Sequence, residues 1–184
     1  MILVVAATEQ ELEGVEDAET LCCGIGPVEA AVSTAAALAE RRPAAVLHIG
    51  IAGAPELKPG SVVIGTEAVY CDLVDASSTL PRIERAAPSA ELVEAARRAL
   101  PGASLLPITT CGRVGGAGEA DVEAMEGFGV LRAAEVAGVP AVEVRTISNS
   151  PAEPDRGLWR IADALARLRE IVPPLVKELS LCVR

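Results

Sequence analysis

The chain is poor in aromatic residues, and this shortage limits how it could bind a flat ligand. Of its 184 residues, only Tyr70, Phe128 and Trp159 are aromatic. Ring systems are commonly bound by stacking on aromatic side chains. Within one chain, only these three residues could supply such a contact.

Long apolar runs and basic clusters are also missing. Hydrophobic residues make up 51% of the chain, yet no run approaches the roughly 20 residues that span a bilayer. The first residues lack the basic segment of a signal peptide. A net charge of −10 leaves no basic stripe for nucleic-acid phosphates. We therefore expect a cytoplasmic protein that binds neither membranes nor nucleic acids.

The cysteines do not form a metal-binding or disulfide pattern. Their number is odd and no two have the CxxC spacing of a zinc or redox motif. The sequence therefore predicts buried free thiols at Cys22, Cys23, Cys71, Cys111 and Cys182.

Apolar segments alternate with helical periodicity, which is typical of an α/β fold. We expect one domain over residues 1–184 and predict buried strands at residues 1–7, 44–49 and 141–147, with a further strand at residues 104–110. Edge strands are expected at residues 61–65 and 68–70, and a loop at residues 71–88. The last helix should break near Pro173 and Pro174.

Several predicted strands end on polar residues or glycines. Glu11 follows the first strand, and Ser148 and Asn149 follow the last one. Glu126 stands where a helix begins, and ligands of open α/β sheets bind beyond such strand ends. Glu11 also fits a capping box with Thr8, which is a structural alternative. Residues 24–26 lack the third glycine of a dinucleotide-binding fingerprint, so that interpretation is disfavoured.

Four segments in this order resemble one family. They are TEQE (8–11), GIGPVEAA (24–31), IGIAGA with LKPGSVVI (49–64), and EAMEG with VRTISN (123–149). Together they are similar to the nucleoside phosphorylase and nucleosidase superfamily, in particular its methylthioadenosine/S-adenosylhomocysteine nucleosidase branch. Within that branch, the chain looks most like the enzymes that hydrolyse futalosine, a hypoxanthine nucleoside of an alternative menaquinone pathway.

This resemblance, which covers nearly the whole chain, implies a three-layer α/β/α sandwich with a mixed central sheet. It implies cleavage of a purine N-glycosidic bond by water, with a small nucleoside as the ligand and no cofactor or metal. It also implies a homodimer or homotetramer.

The resemblance assigns roles to individual residues. Glu11 would activate the water, with Arg145 nearby, and Met125 and Glu126 would hold the ribose. Further substrate contacts are expected from Ile51, Ala52, Gly53, Phe128 and Trp159.

Two departures from the adenine-cleaving enzymes stand out. Asn149 replaces an aspartate that can protonate the leaving base, and Ile51 replaces a serine near the water. An amide donates to a carbonyl and accepts from a protonated ring nitrogen, so Asn149 suits a 6-oxopurine such as hypoxanthine.

Alternatives remain for the function and for single residues. The function could be phosphorolysis, cleavage of adenine nucleosides, or nucleoside binding without turnover. Glu126 could complement its helix N-terminus, Asn149 could cap a strand and Arg145 could be a structural ion-pair partner. Residues with a packing or capping alternative are His48, Trp159 and Asp155. Arg113 and Arg156 are candidates for binding a substrate carboxylate.

Overall fold

Strand β1 (Ile2–Ala6) is fully buried, as its unbroken apolar sequence predicts for a strand covered on both faces. It pairs in parallel with β2 (Glu19–Cys22) and with β3 (Ala45–Gly53). The structure is a computed structural model that describes residues 1–73, 79–118 and 120–183.

The remaining described strands complete one mixed eight-stranded sheet. Its order is β2-β1-β3-β7-β6-β4-β5, and β8 pairs with both β3 and β4. Strand β8 is parallel to β3 and antiparallel to β4. The bounds of the later strands are β4 (Val62–Tyr70), β5 (Arg85–Ala86), β6 (Ser104–Thr110), β7 (Glu123–Ala124) and β8 (Ala141–Asn149).

Helices cover both faces of the sheet, which confirms the expected three-layer α/β/α sandwich. Side chains alternate along β1, so Val4 belongs to the core cluster that includes residues of α3 (Ala90–Ala99) and α5 (Ile161–Cys182). Its neighbour Val5 belongs to the cluster on the other face, with residues of α2 (Pro27–Arg41) and α4 (Gly127–Ala137). The short helix α1 (Glu9–Leu12) follows β1 directly.

Three expectations from the sequence are wrong in detail. Helix α5 continues through Pro173 and Pro174, because Val172, Leu175 and Val176 are buried beside them and this packing offsets the lost backbone donors. Strand β4 is continuous and internal, since it pairs with β5, β6 and β8. The predicted loop at residues 71–88 contains β5; its residues 74–78 lie outside the described part of the chain.

The prediction of free thiols is wrong for Cys71 and Cys111, which form a disulfide. They are 40 residues apart in sequence, so spacing did not indicate the pair. Parallel pairing of β4 with β6 places Tyr70 beside Thr110. These are the last residues of the two strands, and a cysteine directly follows each of them. Cys22, Cys23 and Cys182 are free, as predicted, but only Cys23 of these three is buried; Cys22 is exposed and Cys182 is half-buried.

Among the described residues, no helix combines the length and apolar character needed to cross a membrane. A cytoplasmic location and a single domain stay predictions.

Candidate active site

The carboxyl ends of β1, β3 and β8 open onto one cavity of about 300 Å³. This is the position at which open α/β sheets bind ligands, and the volume suits a small molecule. The cavity is lined by Ala7, Thr8, Gln10, Glu11, Ile25, Ile51, Ala52, Gly53, Val114, Glu123, Ala124, Met125, Glu126, Ser148, Asn149, Trp159, Ile161 and Leu165.

Glu11 is held rigidly at the cavity wall. Its Oε2 accepts hydrogen bonds from the backbone N–H (3.0 Å) and the hydroxyl (2.9 Å) of Thr8. Its Oε1 accepts from the backbone N–H of Ile51 at 3.0 Å. The capping interaction with Thr8 is therefore real, but it does not exclude a chemical role, because the same carboxylate lines the cavity.

Glu126 precedes α4 and joins two distant segments. Its Oε1 accepts from the backbone N–H of Gly26 at 3.1 Å, and its Oε2 lies 3.5 Å from the Arg145 guanidinium. Gly26 has a φ of 95°, where a side chain is strained. Only 5% of Glu126 is exposed, and the neighbouring Met125 completes this side of the cavity.

Asn149 and Ser148 line the cavity at the end of β8. The Ser148 hydroxyl lies within hydrogen-bond distance of the Asn149 Oδ1 (2.7 Å) and the Ala52 carbonyl (3.2 Å), and its single proton serves one at a time. The Asn149 amide donates to the Ser150 carbonyl at 3.0 Å. These contacts use one of the two amide protons of Asn149 and at most one of the two Oδ1 lone pairs.

Arg145 lies behind the cavity wall with no exposed surface. Its Nε donates to Glu143 Oε1 at 2.8 Å, and its Nη2 contacts the imidazole of His48. Burial opposes the charged form, but the carboxylates of Glu143, Glu126 and Glu11 outweigh it, so the pKa of Arg145 is raised. Burial raises the pKa of Glu143 despite Arg145, and burial together with Arg145 holds the pKa of His48 well below its usual value.

Glu123 ties the glycine-rich loop at residues 112–118 to the cavity. Its two carboxylate oxygens accept from the backbone N–H groups of Gly115 (2.5 Å) and Ala117 (2.8 Å). Val114 of this loop thereby forms part of the cavity wall.

Trp159 and Phe128 lie in different places. Trp159 lines the cavity, donates from Nε1 to the Glu153 carbonyl at 3.1 Å and carries the Arg156 guanidinium 5.4 Å from its ring centre. Phe128 is absent from the described cavity wall and stacks on Tyr70, with ring centres 5.2 Å apart. Asp155 caps a 3₁₀ turn through Gly157 and not α5, whose N-cap is Arg160.

The structure thus brings most of the expected site residues to one cavity. The exceptions are Arg145 and Phe128, which do not line the cavity. Arg145 lies behind the wall and contacts the lining residue Glu126. Glu123 was not predicted as a site residue, although its position two residues before Met125 was a usable signal. The buried Arg145 partners His48 and Glu143 were not predicted as part of the site either.

Comparison with known proteins identifies the family. The sequence model of the phosphorylase superfamily matches residues 14–118, more than half of the chain. A futalosine hydrolase from Streptomyces coelicolor is 39% identical over 187 residues, which cover 88% of this chain and 80% of that protein. The chain belongs to the phosphorylase superfamily.

Solved structures agree with this assignment. One match is a 5'-methylthioadenosine/S-adenosylhomocysteine nucleosidase from Neisseria meningitidis, solved in complex with methylthio-immucillin-A. Its TM-score is 0.82 at 27% sequence identity, and the match covers 96% of this chain and 98% of that chain. Futalosine hydrolase of Helicobacter pylori matches with a TM-score of 0.84 at 17% identity, covering 96% and 97%. At that identity the second match concerns the fold alone.

Two adjacent cysteines, one of them in a hydrophobic core cluster, provide a test of the structure near the site. Cys23 is 1% exposed, and burial followed by the charge of Glu126 raises its pKa from 9.0 to about 12. Cys22 is exposed. We expect iodoacetamide at pH 8.5 to alkylate Cys22 and to modify Cys23 at least roughly tenfold more slowly, because the thiolate is the reactive form. Peptide mass spectrometry reads out both sites.

The raised pKa of Cys23 also predicts how the stability of the folded protein changes with pH. Because the unfolded thiol ionises at lower pH than the folded one, the stabilisation from Cys23 is complete below pH 9.0 and is lost as the pH rises towards about 12. Equal alkylation of both cysteines in the folded protein at pH 8.5 would contradict this placement of Cys23.

Proposed function

We propose that this protein hydrolyses the N-glycosidic bond of futalosine and releases hypoxanthine. The observation that carries the proposal is the convergence of Glu11, Glu126 and Asn149 on one nucleoside-sized cavity. The 39% identity to a futalosine hydrolase supports the choice of substrate.

The carboxylates suit the transition state of this reaction. Breaking a bond between ribose and a purine passes through an oxocarbenium-like state. Glu126, fixed by Gly26, would accept from the ribose hydroxyls and place negative charge near the cationic ring. Glu11, fixed by Thr8 and Ile51, would orient a water molecule and accept its proton.

Asn149 would stabilise the leaving base without protonating it. Its amide can donate to the O6 carbonyl of hypoxanthine while its oxygen accepts from a protonated ring nitrogen. Ser148, 2.7 Å from that oxygen, would fix the orientation of the amide.

Water is favoured over phosphate as the nucleophile. No lysine or arginine occurs among the described residues that line the cavity, whereas Glu11, Glu123 and Glu126 do. Binding of inorganic phosphate requires cationic or strong N–H donors facing the ligand, and these carboxylates would repel it.

The site is proposed to be completed in a homodimer. Ile25 lines the cavity yet is 64% exposed, and Val28 and Val32 of α2 continue this apolar stripe at 71% and 61% exposure. A second copy covering the stripe would also close the cavity mouth.

Sedimentation equilibrium should show that the protein is a dimer and that the double variant Val28→Asp, Val32→Asp is a monomer. Leu181→Asp, at an exposed position of α5, is the control and should remain a dimer. A monomeric wild-type protein would contradict this arrangement.

The central experiment is an assay of base release. Purified protein is incubated with futalosine, inosine, methylthioadenosine and S-adenosylhomocysteine, with and without phosphate, and products are separated by chromatography. We expect hypoxanthine from futalosine without phosphate. Glu11→Gln and Glu126→Gln should each lower kcat by roughly 100-fold or more, because each removes a charge and keeps the size of the side chain.

The matched control is Glu9→Gln, since Glu9 lies on the same short helix as Glu11 but is exposed. Its kcat should equal that of the wild type. Strict dependence on phosphate would favour a phosphorylase, and tight nucleoside binding without base release would favour a non-catalytic homologue.

Asn149→Asp tests the choice of base. An aspartate can protonate a leaving adenine but no longer donates an amide hydrogen to O6. The ratio of kcat/KM for futalosine to that for methylthioadenosine should fall by roughly 100-fold or more, because an unpaired buried polar group strongly disfavours the wrong base. An unchanged ratio would remove Asn149 from base recognition.

A further inference from the structure

A buried cluster behind the cavity consists of His48, Glu143 and Arg145, each with 0% exposure. We propose that His48 and Glu143 are positioning residues that fix the Arg145 guanidinium between Glu11 and Glu126. This inference rests on the hydrolytic function proposed above, and it gives a chemical role to two residues that touch no substrate.

The register of the sheet assembles the cluster. Val5 of β1 pairs with His48 of β3, and His48 pairs with Glu143 of β8. Gly50 of β3 pairs with Arg145. Because side chains two residues apart point to the same face of a strand, these residues form two adjacent rows on the face covered by α2 and α4.

The guanidinium is held on several sides. Nε donates to Glu143 Oε1 at 2.8 Å, and Nη1 donates to the Ile51 carbonyl at 3.4 Å. Nη2 contacts both His48 Nε2 and, at 3.5 Å, Glu126 Oε2.

The tautomer of His48 follows from its other contact. His48 Nδ1 lies 3.0 Å from the Val5 carbonyl, which can only accept. The proton is therefore on Nδ1, and Nε2 carries the lone pair that Arg145 needs. A neutral histidine with this tautomer orients the guanidinium without adding charge.

Two glycines make room for the arrangement. A Cβ added at Gly50 would overlap Arg145 Nη1 and lie 2.8 Å from Glu11 Oε1, so the guanidinium passes over β3 towards Glu11. A Cβ added at Gly127 would overlap both carboxylate oxygens of Glu143. Glu143 thus occupies the space that a side chain on the first residue of α4 would fill.

Glu143 is unusual for a residue with only a packing role. Its Oε2 is buried and has no hydrogen-bond partner among the described residues. Leaving a buried polar atom unpaired costs free energy, and Arg145 is the described cation that contacts this carboxylate. We infer that this cost in stability is offset by function: Glu143 fixes Arg145, and Arg145 fixes the carboxylates of the cavity. Their fixed geometry lowers the activation barrier of hydrolysis.

The test compares two replacements of His48. Leucine lacks an acceptor for Arg145, whereas glutamine retains one. We expect His48→Leu to lower kcat for futalosine by roughly 10-fold to 100-fold with KM changed less than about threefold, since small misplacements of catalytic groups have effects of this size. His48→Gln should restore kcat to within about threefold of the wild type.

A second variant disturbs the cluster without removing a polar group. Gly127→Ala should displace Glu143 and lower kcat similarly, whereas Gly102→Ala is the control because its added Cβ meets nothing within 4 Å. The double variant His48→Leu, Gly127→Ala should lose less than the product of the two single losses, because both act through Arg145.

A spectroscopic readout makes the test independent of activity. In the wild type, the Nε–H proton of Arg145 should give a slowly exchanging signal in ¹⁵N-resolved NMR, and His48→Leu and Gly127→Ala should each shift or broaden it. Wild-type kcat in both variants, with only a lower Tm, would overturn the inference. If the wild type releases no base from any nucleoside, the proposed function fails, and an unchanged Arg145 signal in both variants would then reject the positioning role.

Discussion

A guanidinium group that has been removed from water must be surrounded by acceptors, because an uncompensated buried charge is strongly destabilising. Arg145 satisfies this constraint with Glu143 on one side, Glu126 on another and the lone pair of His48 on a third. These partners come from β3, β8 and the start of α4, so the buried charge requires three elements to meet at one place. That place lies directly beneath the cavity.

The same constraint shapes the chemistry that the cavity can support. Arg145 does not line the cavity, whereas Glu11 and Glu126 present carboxylates to it. A cavity of this character favours a ligand that becomes positively charged during reaction and disfavours an anionic nucleophile. Hydrolysis of a nucleoside fits both requirements, since the ribose becomes cationic and water carries no charge.

Structural and chemical roles coincide in several residues. Glu11 completes a capping interaction with Thr8 and also faces the cavity. Glu123 anchors the loop at residues 112–118 and lines the same space. Gly127 begins α4 and leaves room for Glu143. Because the cavity lies at the strand ends, a residue that fixes the backbone there is also close enough to contact a ligand in the cavity.

The sequence alone determined the fold class and most of the cavity wall. Buried strands, their polar ends and the helices between them are local patterns, so Glu11, Glu126 and Asn149 could be found without coordinates. Continuation of α5 through Pro173 was decided by packing against the sheet, which local propensity does not describe. The Cys71–Cys111 disulfide and the row of Val5, His48 and Glu143 depend on which strands pair and in which register. Only the tertiary structure decides such register, because it joins residues that are far apart along the chain.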